Sequence, residues 1–296
     1  MRGLLTYGSY RFLGALSGWL PPWAGYRLAG WLGWLLYLFS PRLRQTLASN
    51  LCHILEPGAS KAQIDALVRR ACVHIAKGHY DLFRIGRISR QELQSSVQIE
   101  GWEHLQQKLT EGRGVIIVSA HLGNVELVMQ LLVARGVPTT APVMHTKPER
   151  LFQYTRRLRQ SHGLKLIPSD ETMIGLFRAL KRGEAIGLAA DRDTTNSGRV
   201  ITFFGEPTRL PDGPVRIALR TGAPIVPAFA MRQKDNGVQL WIEPSLELIR
   251  TGNLEADIRA GMEMVTRAME RYIGRYPEQW LVATSIWPAA QPCGNP

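Results

Sequence analysis

In the segment GVIIVSAHLGNVE (114–126) an imidazole follows a run of apolar residues, and a carboxylate comes five positions later. On a continuous helix, positions five apart face different ways. His121 and Glu126 can therefore meet only if the chain turns between them, and Gly123 permits that turn. An imidazole beside a carboxylate suits a general base, because the carboxylate fixes the tautomer and compensates the charge the ring gains with a proton. Backbone N–H groups at Gly123 and Asn124, opening a helix, would steady a negative charge. The same residues also suit a buried histidine with a hydrogen-bonded partner and no chemistry.

A second polar cluster stands in LAADRDTTNSGRVITFFGE (188–206), where Asp191 and Asp193 flank Arg192. Three roles are open to these carboxylates: pairing with arginines, orienting His121, or binding a divalent cation. Between the two clusters, RRLRQ carries Arg156, Arg157 and Arg159, which suit a phosphate or an oxyanion, or simply a solvated basic face. No GxSxG elbow, GxxxxGK[ST] loop or GxGxxG turn is present, so serine-hydrolase, P-loop and dinucleotide chemistry lack a sequence basis.

The elements that must position these residues alternate. Apolar spacing predicts a long helix over Lys61–Ile85, then strand Val115–Ser119, helix Asn124–Arg135, strand Thr140–Met144, helix Glu149–Ser161 and strand Leu164–Pro168. Helix Thr172–Arg182, strand Ala185–Ala190, helix Gly213–Thr221, strands Pro224–Ala230 and Gln239–Ile242, and helix Glu255–Ile273 follow. Strands of this all-apolar kind, alternating with helices, imply an α/β fold: a mixed sheet covered by helices on both faces. His121 and Asp191 each fall just past a strand's carboxyl end, where such sheets collect ligands.

Composition adds a partner class. Lys and Arg outnumber Asp and Glu by 36 to 24, a net charge of +12, so the partners are anionic. Before Glu56 there is no acidic residue, while Arg2, Arg11, Arg27, Arg42 and Arg44 stand among Trp19, Trp23, Trp31 and Trp34. Arginine and tryptophan suit the headgroup layer of a membrane. The apolar run Leu28–Ser40 is too short to span a bilayer, and Pro21–Pro22 break the run before it. Residues 1–55 thus read as interface helices and 56–296 as the α/β domain; the alternative is a helix pair packed on the protein's own core. Three widely spaced cysteines without a CxxC pair argue against a disulfide framework or a zinc site, and for a reducing compartment.

Taken in order, HLGNVE, DRD, FFGEPTRLPDGPVRIALRTGAPIVPAF and PEQW (277–280) resemble the lipid A biosynthesis acyltransferase family of the glycerolipid acyltransferase superfamily, which has phosphatidylinositol mannoside acyltransferases as a branch. The similarity runs from about Gly101 to Trp287. The resemblance implies transfer of a fatty acyl chain from acyl-carrier protein or acyl-CoA to a hydroxyl of a membrane glycolipid at the cytoplasmic face of the bacterial inner membrane, by a peripheral or monotopic enzyme. It implies His121 as general base, Glu126 as the acid of an HxxxxE dyad, Asp191 or Asp193 as a carboxylate near the histidine, and Arg159, with Arg156 as its neighbour, as substrate or oxyanion ligands. Its implied partners are membrane lipids and the acyl donor, not nucleic acid; no metal, cofactor or covalent intermediate is implied. The acceptor stays open between a lipid A-type precursor and a phosphatidylinositol mannoside or other phospholipid. Two other classes stay open as well. A metal-dependent hydrolase would contain metal, and a non-catalytic lipid- or nucleic-acid-binding protein would tolerate loss of His121.

Overall fold

The structure, a computed structural model, describes residues 2–55, 58–168, 172–194 and 197–287. Glu56 and Cys293, used above, lie outside the described residues, as does the side chain of Arg2. Four helices come first: α1 (Arg2–Ser17), α2 (Pro22–Phe39), α3 (Pro41–Cys52) and α4 (Lys61–Arg84). The prolines divide them as the sequence suggests, with Pro22 and Pro41 near helix starts, where a missing N–H leaves no bond unmade. None of the described helices is long and apolar enough to cross a membrane.

Gly25, Ala29 and Gly33 recur every fourth residue and form the buried stripe of α2. A Cβ on Gly33 would lie 2.4 Å from the Cα of Val73, so the backbones of α2 and α4 are in close contact there. Helix α3 is tied to the far end of the chain: the Asn50 amide donates to the carbonyls of Val282 and Thr284 and accepts from the Ile286 amide. Cys72 is a buried free thiol. Cys52, in contrast, is disulfide-bonded, which runs against the reading of the cysteines as arguing against a disulfide and for a reducing compartment; spacing along the chain does not report distance in space.

After α5 (Arg90–Ser95) the chain alternates through β1 (Val97–Glu100), α6 (Trp102–Thr110), β2 (Val115–Ser119), α7 (Val125–Ala134), β3 (Thr139–Val143), α8 (Glu149–Arg159), β4 (Lys165–Pro168), α9 (Thr172–Lys181) and β5 (Ala185–Ala189). A hairpin of β6 (Arg199–Phe203) and β7 (Glu206–Leu210) then leads to α10 (Gly213–Thr221), β8 (Ile225–Arg232), β9 (Val238–Ile242) and α11 (Leu254–Arg275). Seven strands form one sheet in the order β1-β9-β8-β2-β5-β3-β4, and only the β8–β9 pair is antiparallel. Alternate residues of β2 feed two cores. Ile116 and Val118 join the residues of α9, α10 and α11, while Val115 and Ile117 join those of α6, α7 and α8. The sheet is therefore covered on both faces, as the all-apolar strands require.

The hairpin, β1, α3, α5 and α6 are absent from the sequence-based element list. The hairpin turns on Phe204 and Gly205, both at positive φ, with Phe204 in a place that Asn or Asp usually marks. Its position is held from outside, since the Phe204 amide donates to Glu270 at 2.6 Å.

One buried polar junction ties the first helices to the sheet. Asp81 of α4 accepts from the Tyr26 hydroxyl (2.6 Å), from the Asn124 amide group (2.8 Å) and from Arg232 of β8. Asp81 and Arg232 side chains are both almost fully enclosed. Asp81→Ala would leave the guanidinium buried without its counter-charge, and is expected to cost about 3–5 kcal/mol in a denaturant titration. A loss below about 1 kcal/mol would mean that Arg232 finds water instead.

Candidate active site

Strands β2 and β5 are neighbours at the centre of the sheet, with Ser119 opposite Ala189. His121 and Asp191 come two residues past these strand ends, so the register of the pair brings the two side chains together. Asp191 is fully buried. Its Oδ1 accepts from His121 Nδ1 at 2.7 Å, and its Oδ2 accepts from the His121 amide and the Trp280 indole N–H, each at 2.8 Å. Burial by itself would push this carboxyl up; the adjoining His121 ring, the indole bond and the amide bond outweigh it and hold Asp191 below the usual carboxylate range. A ring nitrogen facing an ionised carboxylate carries the proton, which leaves the lone pair of His121 on Nε2. The imidazole is partly exposed and lines a cavity of about 340 Å³.

Of the three carboxylates considered in the sequence, Asp191 is the one on the imidazole. Glu126 does turn toward the same cavity from the first turn of α7, but it pairs with Arg159 (N···O 2.8 Å), and the His121–Glu126 contact allowed by the spacing is not formed. A strong cation from α8 competes for the carboxylate. Asp193 accepts from the Gly198 amide at 2.7 Å. Among the basic residues of α8, Arg159 lines the cavity and Arg156 does not.

Gly123 and Asn124 build the corner instead of facing a ligand, which corrects their expected role as anion donors. Gly123 has φ +64, and a Cβ there would fall 1.7 Å from the Ala230 carbonyl. Its N–H donates to the Gln279 carbonyl (2.8 Å), and that of Asn124 to Ala230 (3.3 Å). The Asn124 side chain caps α7 by accepting from Leu127 and donates to Asp81, so it is spent twice over. The donors left at the helix opening are the amides of Val125 and Glu126, which find no acceptor among the described residues.

Three residues that sequence reasoning did not place in the site belong to it. Arg192, between the two aspartates, lines the cavity, and its Nε is buried without a partner among the described residues. Trp280, wholly buried, holds Asp191 from behind. Gln279 clamps the backbone of Arg232 in both directions, 2.8 and 2.9 Å, while Leu281 donates to the His121 carbonyl. The segment Pro277–Trp280 was visible as a motif, but its meeting with β2 depends on chain folding that no local pattern reports. Behind the polar mouth the walls of the cavity are apolar, with Ile117, Met129, Val143, Leu164, Leu166 and Leu188.

A histidine held by a buried carboxylate, beside cations and above an apolar recess, can take a proton from a hydroxyl, steady an oxyanion and accommodate a hydrocarbon chain. The family model described as bacterial lipid A biosynthesis acyltransferase matches residues 5–287. A phosphatidylinositol mannoside acyltransferase of Mycolicibacterium smegmatis is 28% identical over 248 residues, 82% of this chain and 79% of that protein. A lipid A biosynthesis palmitoleoyltransferase of Escherichia coli is 26% identical over 189 residues, 62% of this chain and 58% of its own length. A lipid A biosynthesis acyltransferase of Haemophilus influenzae is 21% identical over 283 residues, 94% of this chain and 82% of that protein. The chain belongs to the bacterial lipid A biosynthesis acyltransferase family and is an O-acyltransferase.

Proposed function

We propose that this enzyme moves a fatty acyl chain from acyl-CoA or acyl-carrier protein to a hydroxyl of a membrane glycolipid, working as a peripheral protein at the inner face of the bacterial plasma membrane. The observation that carries the reading is the His121–Asp191 pair at the mouth of an apolar cavity. Nε2 of His121 takes the proton of the acceptor hydroxyl as its oxygen adds to the thioester carbonyl. Arg159, Arg192 and the free amides of α7 face the oxyanion that forms. Collapse expels the thiolate, which recovers the proton from the imidazolium. A thioester is already activated, so no acyl-enzyme is needed.

The acceptor is best read as a mannosylated phosphatidylinositol, because the enzyme of that name is 28% identical over 82% of this chain, against 26% over 62% and 21% over 94% for the two lipid A enzymes. A lipid A-type precursor is the second reading, favoured by the Haemophilus relative, which covers 94%. Metal is not required in this reading, since both oxygens of Asp191 already accept hydrogen bonds and an oxygen of Asp193 accepts the Gly198 amide. Mass spectrometry of membrane lipids from cells with and without the gene tests the function. One glycolipid lacking one acyl chain is expected; an unchanged lipid complement would contradict it.

The chain pocket carries its own prediction. Gly187 lies mid-strand in β5 and lines the cavity, and a Cβ there would meet the terminal methyl of Met129 at 2.4 Å. Gly187→Val drives the thioether into the recess, removing room for about two methylenes, each worth about 0.8 kcal/mol of burial. Preference between donors should shift toward chains shorter by about two carbons, by roughly tenfold in kcat/KM. An unaltered preference would show that the chain lies elsewhere.

A further inference from the structure

A second cavity, of about 240 Å³, lies between α1, α2 and α4, apart from the site described above. Leu13 and Leu16 of α1, Ala29 and Leu32 of α2, and Ile75 and Ala76 of α4 form its apolar walls. Most polar groups on its surface are already spent. The Ser17 hydroxyl donates to the Gly14 carbonyl at 2.8 Å; His79 bonds the Ile75 carbonyl and the Tyr10 hydroxyl, each at 2.9 Å. The exception is Tyr80: it is 7% exposed, and its hydroxyl has no partner among the described residues. An apolar space with one unspent hydroxyl matches a hydrocarbon chain ending in an ester carbonyl, which can accept that bond.

The surroundings specify where such a chain comes from. Phe12 of α1, Trp31 and Phe39 of α2, and Trp19 in the turn between the two helices are all more than half exposed, a belt of aromatic side chains suited to the headgroup boundary. At the end of α1 the guanidinium of Arg87 lies against Gly18, beside the cavity residues Ser17 and Leu20. Arg87 forms no ion pair with any described carboxylate, and neither does the exposed Arg27, which lies over the Trp23 ring at 5.5 Å. An unpaired arginine beside an apolar cavity, Arg87, with a second on the exposed face of α2, favours a negatively charged headgroup.

We propose that the cavity between α1, α2 and α4 holds one acyl chain of an anionic glycerophospholipid of the bilayer, with its ester carbonyl on Tyr80 and its phosphate toward Arg87. This is a resident lipid site distinct from the acyl-transfer cavity, and it anchors the enzyme by withdrawing a chain from the membrane into the protein.

Photolabelling of the full chain on phosphatidylcholine vesicles containing phosphatidylglycerol with a diazirine near the end of one acyl chain tests it. Peptide mass spectrometry is expected to place label on cavity-facing residues of α1, α2 and α4. Ala29→Phe or Ala76→Phe, which fill the space from two different helices, should lower that label by about tenfold, the effect of denying burial to about two methylenes. Label on the outward Trp19 and Trp31 should persist in both. The wild-type map is decisive even where a variant folds poorly. Label confined to outward-facing residues would overturn the proposal, as would cavity label unchanged in well-folded filled variants, or equal cavity label from a diazirine-bearing phosphatidylcholine.

Discussion

His121→Ala is expected to lower acyl transfer by about 10²–10⁴-fold, the usual worth of a general base, with substrate affinity little changed. The reason is geometric: Nδ1 is committed to Asp191, so Nε2 is the basic atom presented to the cavity. The variant also leaves a buried carboxylate with two N–H donors in place of three, at a cost of about 1–3 kcal/mol. His121→Gln, whose amide can still reach toward Asp191, should lose as much activity with a smaller loss of stability. Thermal melts alongside steady-state kinetics separate the two effects. Normal turnover in either variant would remove His121 from the chemistry.

Asp191→Asn should be nearly as damaging, through the tautomer. An amide in this place presents either N–H or oxygen to Nδ1. If its oxygen keeps the bonds from the His121 amide and Trp280, its NH₂ faces the ring, which must then accept on Nδ1 and carry its proton on Nε2. A base protonated at the wrong nitrogen costs up to about 10⁴ in kcat in hydrolases built on the same principle. KM should hold, because Asp191 is buried behind the ring and does not line the cavity. The sign of the pH effect follows from its depressed pKa. The carboxylate stabilises the fold fully above the unfolded value of about 3.9 and ceases to do so as pH falls through its lower folded value. Wild type and variant should therefore differ in stability at neutral pH and converge in acid. A variant with wild-type kcat would reduce Asp191 to a packing residue.

How far the sequence reported this site depends on which contacts were local. The corner at His121 was legible because an apolar strand, a glycine and a helix start are adjacent in the chain, and the strand ended where expected. The partner of the histidine was not decidable: Glu126 is nearer in sequence, while Asp191 is nearer in space only because β5 pairs with β2. The roles of Gly123 and Asn124 were misjudged for the same reason, since their amides meet Gln279 and Ala230, far along the chain. Trp280 and the hairpin turn at Phe204 depend on long-range packing as well. Helices with strong apolar spacing, such as α4 and α10, were found almost to the residue, because burial of one face is written locally.

The central claim is direct transfer by the His121–Asp191 pair, and a single-turnover reaction tests it. Purified enzyme, a palmitoyl thioester and a glycolipid extract containing phosphatidylinositol mannosides would be sampled by mass spectrometry of both lipid and intact protein. The account predicts that one glycolipid gains one acyl chain as thioester is consumed, that the protein never gains the acyl mass, and that His121→Ala and Asp191→Asn abolish the gain. Free fatty acid as the sole product, or a glycolipid acylated equally well by both variants, would contradict it.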